Sequence, residues 1–394
     1  MKSLLAFCER ELPWLIETIE ALVCLESPSG DAAAINRCAA ELESRLGSLG
    51  SLGGRVTRLP GGPAGDHLRA EFGSGARRVL LLGHIDTVWP AGTLARRPFR
   101  ARDGELYGPG VFDMKAGLAL AALAVRALAR EPGGLPGRIV MLVTADEETG
   151  SASSRALIEA EALASEAVLV LEPALPGGAL KTSRKGCGEF VLRVSGLAAH
   201  AGIEPERGVS AISELARQIP RIEALQDPVA GTSVNVGVVR GGSRANVVAA
   251  DAEAVIDVRV ASAAEAARIT AALRTLAPVD PRTALAVSGG IDRPPMERSA
   301  GSAALFALAR EAAAAHRRAL GEGGTGGASD GNLTAALGVP TLDGLGAVGG
   351  GAHADDEHVS VAELPWRAAL LAGLLRRILA VYTGPSRGPV RRSA

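Results

Sequence analysis

The run Arg78-Val79-Leu80-Leu81-Leu82 breaks into Gly83-His84-Ile85-Asp86-Thr87-Val88, and this junction constrains the fold more than any other feature of the chain. A short, continuous apolar run reads as a strand covered on both faces, as in a parallel sheet flanked by helices. Ligands of such sheets bind beyond the carboxyl ends of the strands, so a His and an Asp two residues apart there face one crevice. Three more segments run into carboxylate in the same way: Val111-Phe112-Asp113, Val140 to Ala145 followed by Asp146-Glu147-Glu148, and Val168-Leu169-Val170-Leu171-Glu172. Together they read as the walls of a metal site.

At 394 residues the chain exceeds what one hydrophobic core usually organises, so two domains are expected. A hydrophobic content of 47% with only 3% aromatic residues points to a globular core built mainly from Ala, Leu and Val. The net charge of −1, with arginines scattered among acids, offers no basic stripe for nucleic acid or an anionic membrane; a small-molecule substrate is expected. Cys8, Cys24, Cys38 and Cys187 lack metal-type spacing and read as reduced, mostly buried thiols. Acid and base interrupt the first ten residues where a signal peptide needs its apolar run, and no stretch reaches the roughly 18 residues of a membrane span. A soluble, cytoplasmic protein is expected.

In chain order, apolar spacing predicts one helix over residues 3 to 25 and a second from Ala32 to about Leu46. Arg55 to Leu59 and His67 to Phe72 alternate like strands around a Gly/Pro turn, which places His67 on an exposed strand. Asp113 precedes a long Ala/Leu helix beginning at Met114. From Ala179 to about Arg293 the rhythm changes to strand Glu189–Ser195, helix Val209–Ala224, strands Ser233–Val239 and Ala252–Val260, helix Ala263–Leu276 and strand Thr283–Val287. That order is βαββαβ, a ferredoxin-like arrangement inserted into the first domain. The expected division is a catalytic domain from 1–180 and 295–394, with the inserted domain at 181–294. Helices near Ala303–Ala319 and Ala362–Leu379 flank a Gly-rich stretch, and the Thr383–Ala394 tail is expected to fray.

His84, Asp113, Glu148, Glu172 and His353 are the candidate ligands, imidazole and carboxylate being ordinary donors to zinc and similar ions. Each has an everyday alternative: His84 as a core histidine, Asp113 as an N-cap, Glu172 as a solvent-facing strand end, Asp146-Glu147-Glu148 as a solvated turn. Several buried strands ending in unpaired acid would be costly without a cation, roughly several kcal/mol per carboxylate. Adjacent carboxylates repel unless a metal takes one, which leaves Glu147 as a general base beside the ligand Glu148. His316, in the Ala-rich helix, and His358, in a charged loop, are left to solvated or packed roles.

These residues carry a family resemblance. Gly83-His84-Ile85-Asp86-Thr87-Val88, Gly108-Pro109-Gly110-Val111-Phe112-Asp113-Met114-Lys115-Ala116-Gly117, Asp146-Glu147-Glu148-Thr149-Gly150-Ser151 and Leu171-Glu172-Pro173 resemble the M20 family of dinuclear zinc peptidases, and within it the glutamate carboxypeptidase branch. Thr325 to Asn332 and Gly349-Gly350-Gly351-Ala352-His353 resemble the same branch. The resemblance implies a zinc-peptidase-like α/β catalytic domain with a mixed, largely parallel central sheet, and a lid and dimerisation role for the inserted domain. It implies two Zn2+ per chain, with Co2+ or Mn2+ as alternatives: Asp113 bridges, His84 and Glu172 complete one site, Glu148 and His353 the other. Glu147 is then the base, and Asp86 orients His84 through its other ring nitrogen.

In the inserted domain, Ser195 to Gly202 is similar to the family's lid motif, so His200 is implied to reach a partner's active site in a homodimer and to stabilise the oxyanion. Asn246 is implied to contact the reacting carbonyl and Arg259 to grip the substrate's terminal carboxylate; taken alone, His200 reads as a surface turn and Arg259 as a strand-surface arginine. Ala249 and Ala174 depart from the residues frequent in the family, proline and a hydroxyl residue, without removing a ligand. The implied reaction is release of a C-terminal amino acid, glutamate first, from an N-acyl or peptidyl substrate. The rivals are an aminoacylase, a dipeptidase or a desuccinylase on the same scaffold, and a silent metal-binding or ligand-binding protein.

Overall fold

The structure, a computed structural model, describes residues 2–49 and 54–381. The tail expected to fray lies outside the described residues. The chain forms two compact units: one takes the chain up to Ser183, Arg298–Gly324 and the chain from Ser329, and the other takes Arg184–Glu297 with Thr325–Ala328.

The first unit is built on a six-stranded sheet in the order Arg55–Leu59, His67–Phe72, Arg138–Thr144, Arg78–His84, Ala167–Val170, Thr341–Leu342. The first two pairings are antiparallel and the remaining three parallel, so the sheet is mixed and largely parallel, as expected. The apolar run of the central strand follows from its position. Val79 and Leu81 enter the core cluster on one face, and Leu80 and Leu82 enter a separate cluster on the other. Helix Ala116–Ala129 lies in the larger cluster with only Arg126 and Ala129 outside the buried set, which is why it is Ala/Leu-rich on every side. Gly117 lets it approach the sheet, since a Cβ there would meet the Leu171 carbonyl oxygen.

Three local expectations are corrected. The helix expected over residues 3 to 25 is two helices, Lys2–Arg10 and Leu12–Val23; Pro13, in the first turn of the second, starts a helix without needing an N–H partner. The helix expected to reach Ala319 ends at Ala314, with Arg317 at φ 58 in the left-handed region beyond it. His67, expected on an exposed strand, is 0% exposed because its ring packs under the segment after Arg138–Thr144, against the Ala145 N–H and Ser153 Oγ. An unforeseen small sheet orders Gly349–Gly350, His358–Ser360, Glu105–Tyr107 and Arg100–Arg102. Strands of two or three residues are too short to display alternation.

The second unit is the expected βαββαβ insertion. Strands Ser233–Gly241, Asp251–Val260, Gly186–Ser195 and Ala284–Arg293 lie side by side in that order, all antiparallel. Along Asp251–Val260 every second residue is buried, and that face packs with Leu215 and Ile222 of helix Ala211–Glu223 and Ile269 and Leu273 of helix Ala263–Arg274. All four cysteines are free; Cys8 and Cys38 are buried and Cys24 is exposed. Among the described residues no helix is long and apolar enough to cross a membrane.

Candidate metal centre

His84 is the last residue of the central strand and is 1% exposed. Its Nε2 lies 3.2 Å from Asp113 Oδ1 and 3.5 Å from Glu172 Oε1. Glu172 stands two residues past the strand Ala167–Val170, and Asp113 occupies an irregular turn, Val111–Lys115, ahead of the Ala/Leu helix. Asp113 is not the helix N-cap, which is Lys115, whose side chain makes no capping bond and donates to the Leu25 carbonyl (2.8 Å). The second Asp113 oxygen, Oδ2, lies 3.4 Å from His353 Nε2, and that nitrogen is 3.4 Å from Glu148 Oε1. Two groups of potential ligands result, His84/Asp113/Glu172 and Asp113/Glu148/His353, each with its donor atoms within 4.8 Å of one another. All five candidate ligands are therefore brought together, with Asp113 common to both groups.

Asp86 is 0% exposed and holds two parts of the site. Its backbone carbonyl is 3.0 Å from His84 Nδ1, nearer than its own Oδ1 at 3.5 Å, so the expected carboxylate contact is the longer of the two. The carboxylate instead accepts hydrogen bonds from the backbone N–H of Glu147 (3.1 Å) and of Glu148 (3.2 Å) and from Ser29 Oγ (2.7 Å). It thereby aims the acidic turn, which leaves the strand Arg138–Thr144 and closes on Gly150 in the left-handed region (φ 100).

Burial opposes charge on His84, but hydrogen bonds to Asp113, Asp86 and Glu172 outweigh it and hold the imidazole well above its usual range. Contacts with Asp113 and Glu148 push His353 up to about 10. Burial works against ionised Asp113, yet the two histidines win and keep its pKa below the usual carboxylate range. Protons thus sit on the imidazoles where a cation would neutralise the acids.

The donors fit divalent zinc. A tetrahedron of bonds of about 2.0 to 2.1 Å has edges of roughly 3.3 to 3.4 Å, and the four measured N···O separations run from 3.2 to 3.5 Å. Glu148 Oε1 is buried with no hydrogen-bond partner, although His353 Nε2 lies 3.4 Å away.

His200, Asn246 and Arg259 belong to the second unit. His200 and Asn246 are neighbours there, for His200 pairs with Val247 and the Ala201 N–H donates to the Asn246 carbonyl at 3.0 Å. Both are exposed. Arg259 donates from Nε and Nη2 to the two oxygens of Asp257, at 3.0 and 2.8 Å, which leaves its Nη1 edge outside that pair.

Sequence reasoning passed over one buried group beside the site, Glu357, and misplaced another, His67. Glu357 sits in the run Asp355-Asp356-Glu357-His358, which reads as solvated, yet it is 0% exposed. His67 accepts from the Ala145 N–H at Nδ1 (3.1 Å), and its Nε2 meets Ser153 Oγ (3.2 Å), which donates to Asp146 Oδ2 (2.7 Å). No spacing signal marks either; their roles come from tertiary contacts. His358 is half-buried beside the Tyr107 ring (centroids 5.5 Å apart), and His316, beyond the end of its helix, meets Trp366 edge-on.

A family model described as peptidase family M20/M25/M40 matches residues 80–377. Carboxypeptidase G2 of Pseudomonas sp. (strain RS-16) is 32% identical over 374 residues, covering 93% of this chain and 89% of that protein. Acetylornithine deacetylase of Salmonella arizonae is 33% identical over 267 residues, 63% of this chain and 68% of that protein. Among solved structures, aminopeptidase PepT from Bacillus cereus ATCC 10987 has the same fold, with a TM-score of 0.78 at 24% identity over 93% of this chain and 98% of that one.

Proposed function

The chain belongs to the peptidase family M20/M25/M40, and from that premise we propose that it is a two-metal hydrolase releasing a C-terminal amino acid, glutamate first, from N-acyl or peptidyl substrates. The observation that carries the metal reading is Asp113, whose two oxygens face different histidines at 3.2 and 3.4 Å. His84 and Glu172 would hold one ion and Glu148 and His353 the other, with Asp113 between them. Two such ions, zinc first and Co2+ or Mn2+ as alternatives, supply Lewis-acid polarisation of the scissile carbonyl and a more acidic water.

This chain's own residues then handle protons and orientation. Glu147 takes the proton of the attacking water and passes it to the leaving amine, a role suited to a carboxylate held beside a ligand by the Asp86 clamp. His84 keeps its orientation through Nδ1. Arg259 keeps one edge on Asp257 and offers the other to the substrate's terminal carboxylate, the charge-assisted contact that favours a C-terminal residue. Asn246 contacts the reacting carbonyl, and His200 of the partner subunit donates to the developing oxyanion in a homodimer formed through the inserted unit.

The deacetylase relative supports a second reading, hydrolysis of a small N-acyl group from an amino acid. A panel of N-acyl glutamates, N-acyl aspartates, N-acyl apolar amino acids, dipeptides and N-succinyl diamino acids separates the two. The expected result is preferential cleavage of N-acyl glutamates, abolished by chelation and restored by zinc. Preference for a short-acyl apolar or diamino substrate would replace glutamate release with the second reading. Sedimentation of the active protein as a monomer would remove the shared-site role of His200.

A further inference from the structure

We propose that Glu357 is a positioning residue of the metal centre, a buried carboxylate that ties the loop carrying His353 to the turn carrying Asp113. This rests on the two-metal reading above and names what sets the distance between two of its ligands.

His353 sits on an exposed loop that is tied from outside by Arg97, which donates from Nη2 to the Ala354 carbonyl (3.0 Å) and pairs with Asp355 at the surface (3.4 Å), and from within by Glu357. The His353 side chain is 51% exposed, its backbone lies at φ 60, and residues 352–356 around it are all exposed. Between the short strands Gly349–Gly350 and His358–Ser360 the one buried side chain is Glu357. Its two oxygens accept four hydrogen bonds: Oε2 from Trp89 Nε1 (2.7 Å) and the Gly110 N–H (2.8 Å), Oε1 from the N–H groups of Phe112 (2.9 Å) and Asp113 (3.0 Å).

The turn needs such an acceptor. Phe112 and Asp113 lie in the first turn after Gly110, with no helical carbonyls behind them, so their N–H groups require partners from elsewhere. One side chain therefore satisfies the backbone of the shared ligand and, four residues from His353, anchors the loop of another. Glu357 touches no substrate in this account; it acts through the two ligands. The consequence is asymmetric. His84 and Glu172 reach the centre from the ends of sheet strands, whereas the Asp113/Glu148/His353 group takes two of its three members from segments that Glu357 joins.

The test is stepwise Co2+ binding to the metal-free full chain, read by calorimetry and by the cobalt electronic spectrum, in the parent, Glu357→Gln, Glu357→Asp and His353→Ala. His353→Ala identifies which of the parent's two steps belongs to its site. In Glu357→Gln an amide NH2 must face backbone donors, and in Glu357→Asp the reach is shortened. Both are expected to weaken the His353 step about tenfold or more, the scale of outer-sphere effects on metal sites, while the other step changes less than about threefold. A folded variant in which both steps match the parent, or both weaken equally, overturns the proposal. If neither variant folds, the residue serves the fold at large and the proposal is wrong. A parent that takes up no pair of cobalt ions removes the metal reading itself, and this inference with it, whereas a parent that binds two ions but cleaves nothing in the substrate panel removes only the substrate assignment.

Discussion

His67 shows how a group that is not a candidate ligand supports the acidic turn. Burial lowers its pKa against the pull of Asp146 and its neighbours, so the imidazole is neutral, accepting from Ala145 and facing the Ser153 hydroxyl. Replacing it by Phe fills the space but leaves the buried Ala145 N–H unsatisfied, which should cost about 1 to 3 kcal/mol in denaturant unfolding near pH 8. The pH dependence has a definite sign. With a folded pKa below the unfolded value of 6.5, the unfolded state binds the proton more readily, so the parent loses stability as pH falls below about 6.5. His67→Phe does not share that loss, and the gap between the two proteins should narrow toward acid; a gap constant from pH 8 to 5 would contradict a buried neutral histidine. His84 was legible in the sequence because an apolar strand stops at it. Glu357 was not, because nothing in an acidic run says which of its members turns inward.

Gly117 carries the argument at the level of elements. It lies inside helix Ala116–Ala129, where alanine would gain about 1 kcal/mol in helix propensity. The added Cβ, however, would meet the backbone oxygen of Leu171, just before Glu172, and backbone cannot swing aside as a side-chain tip can. Overpacking of this kind costs about 1 to 3 kcal/mol, so Gly117→Ala is expected to lower the unfolding midpoint and to weaken metal binding at the site proposed for His84 and Glu172. A variant more stable than the parent would mean that the helix and sheet can separate freely there. The central strand and the βαββαβ insertion could be read from pattern because each buries a regular face, both faces for the strand and alternate residues for the inserted sheet. The small sheet that holds the His353 loop could not, since its strands are two or three residues long and one is Gly-Gly. The break between the first two helices could have been read from Pro13, which the apolar spacing around it masks.

Across the whole molecule, the five candidate ligands come from three strand ends and two loops spread from His84 to His353, and only the folded first unit makes them one site. The motifs and the resemblance they carry proposed the ligands and the sharing of Asp113, and the fold brings the donor atoms into two groups that have Asp113 in common. The substrate contacts are proposed on the second unit, with His200 acting from a partner subunit. The most direct test of the central claim, a two-metal hydrolase with Glu147 as its base, is metal content and turnover of Glu147→Gln measured on one preparation. The account predicts two ions per chain, as in the parent, with turnover reduced by about two to four orders of magnitude, the scale of general-base catalysis. Near-parental turnover with both ions retained would contradict it.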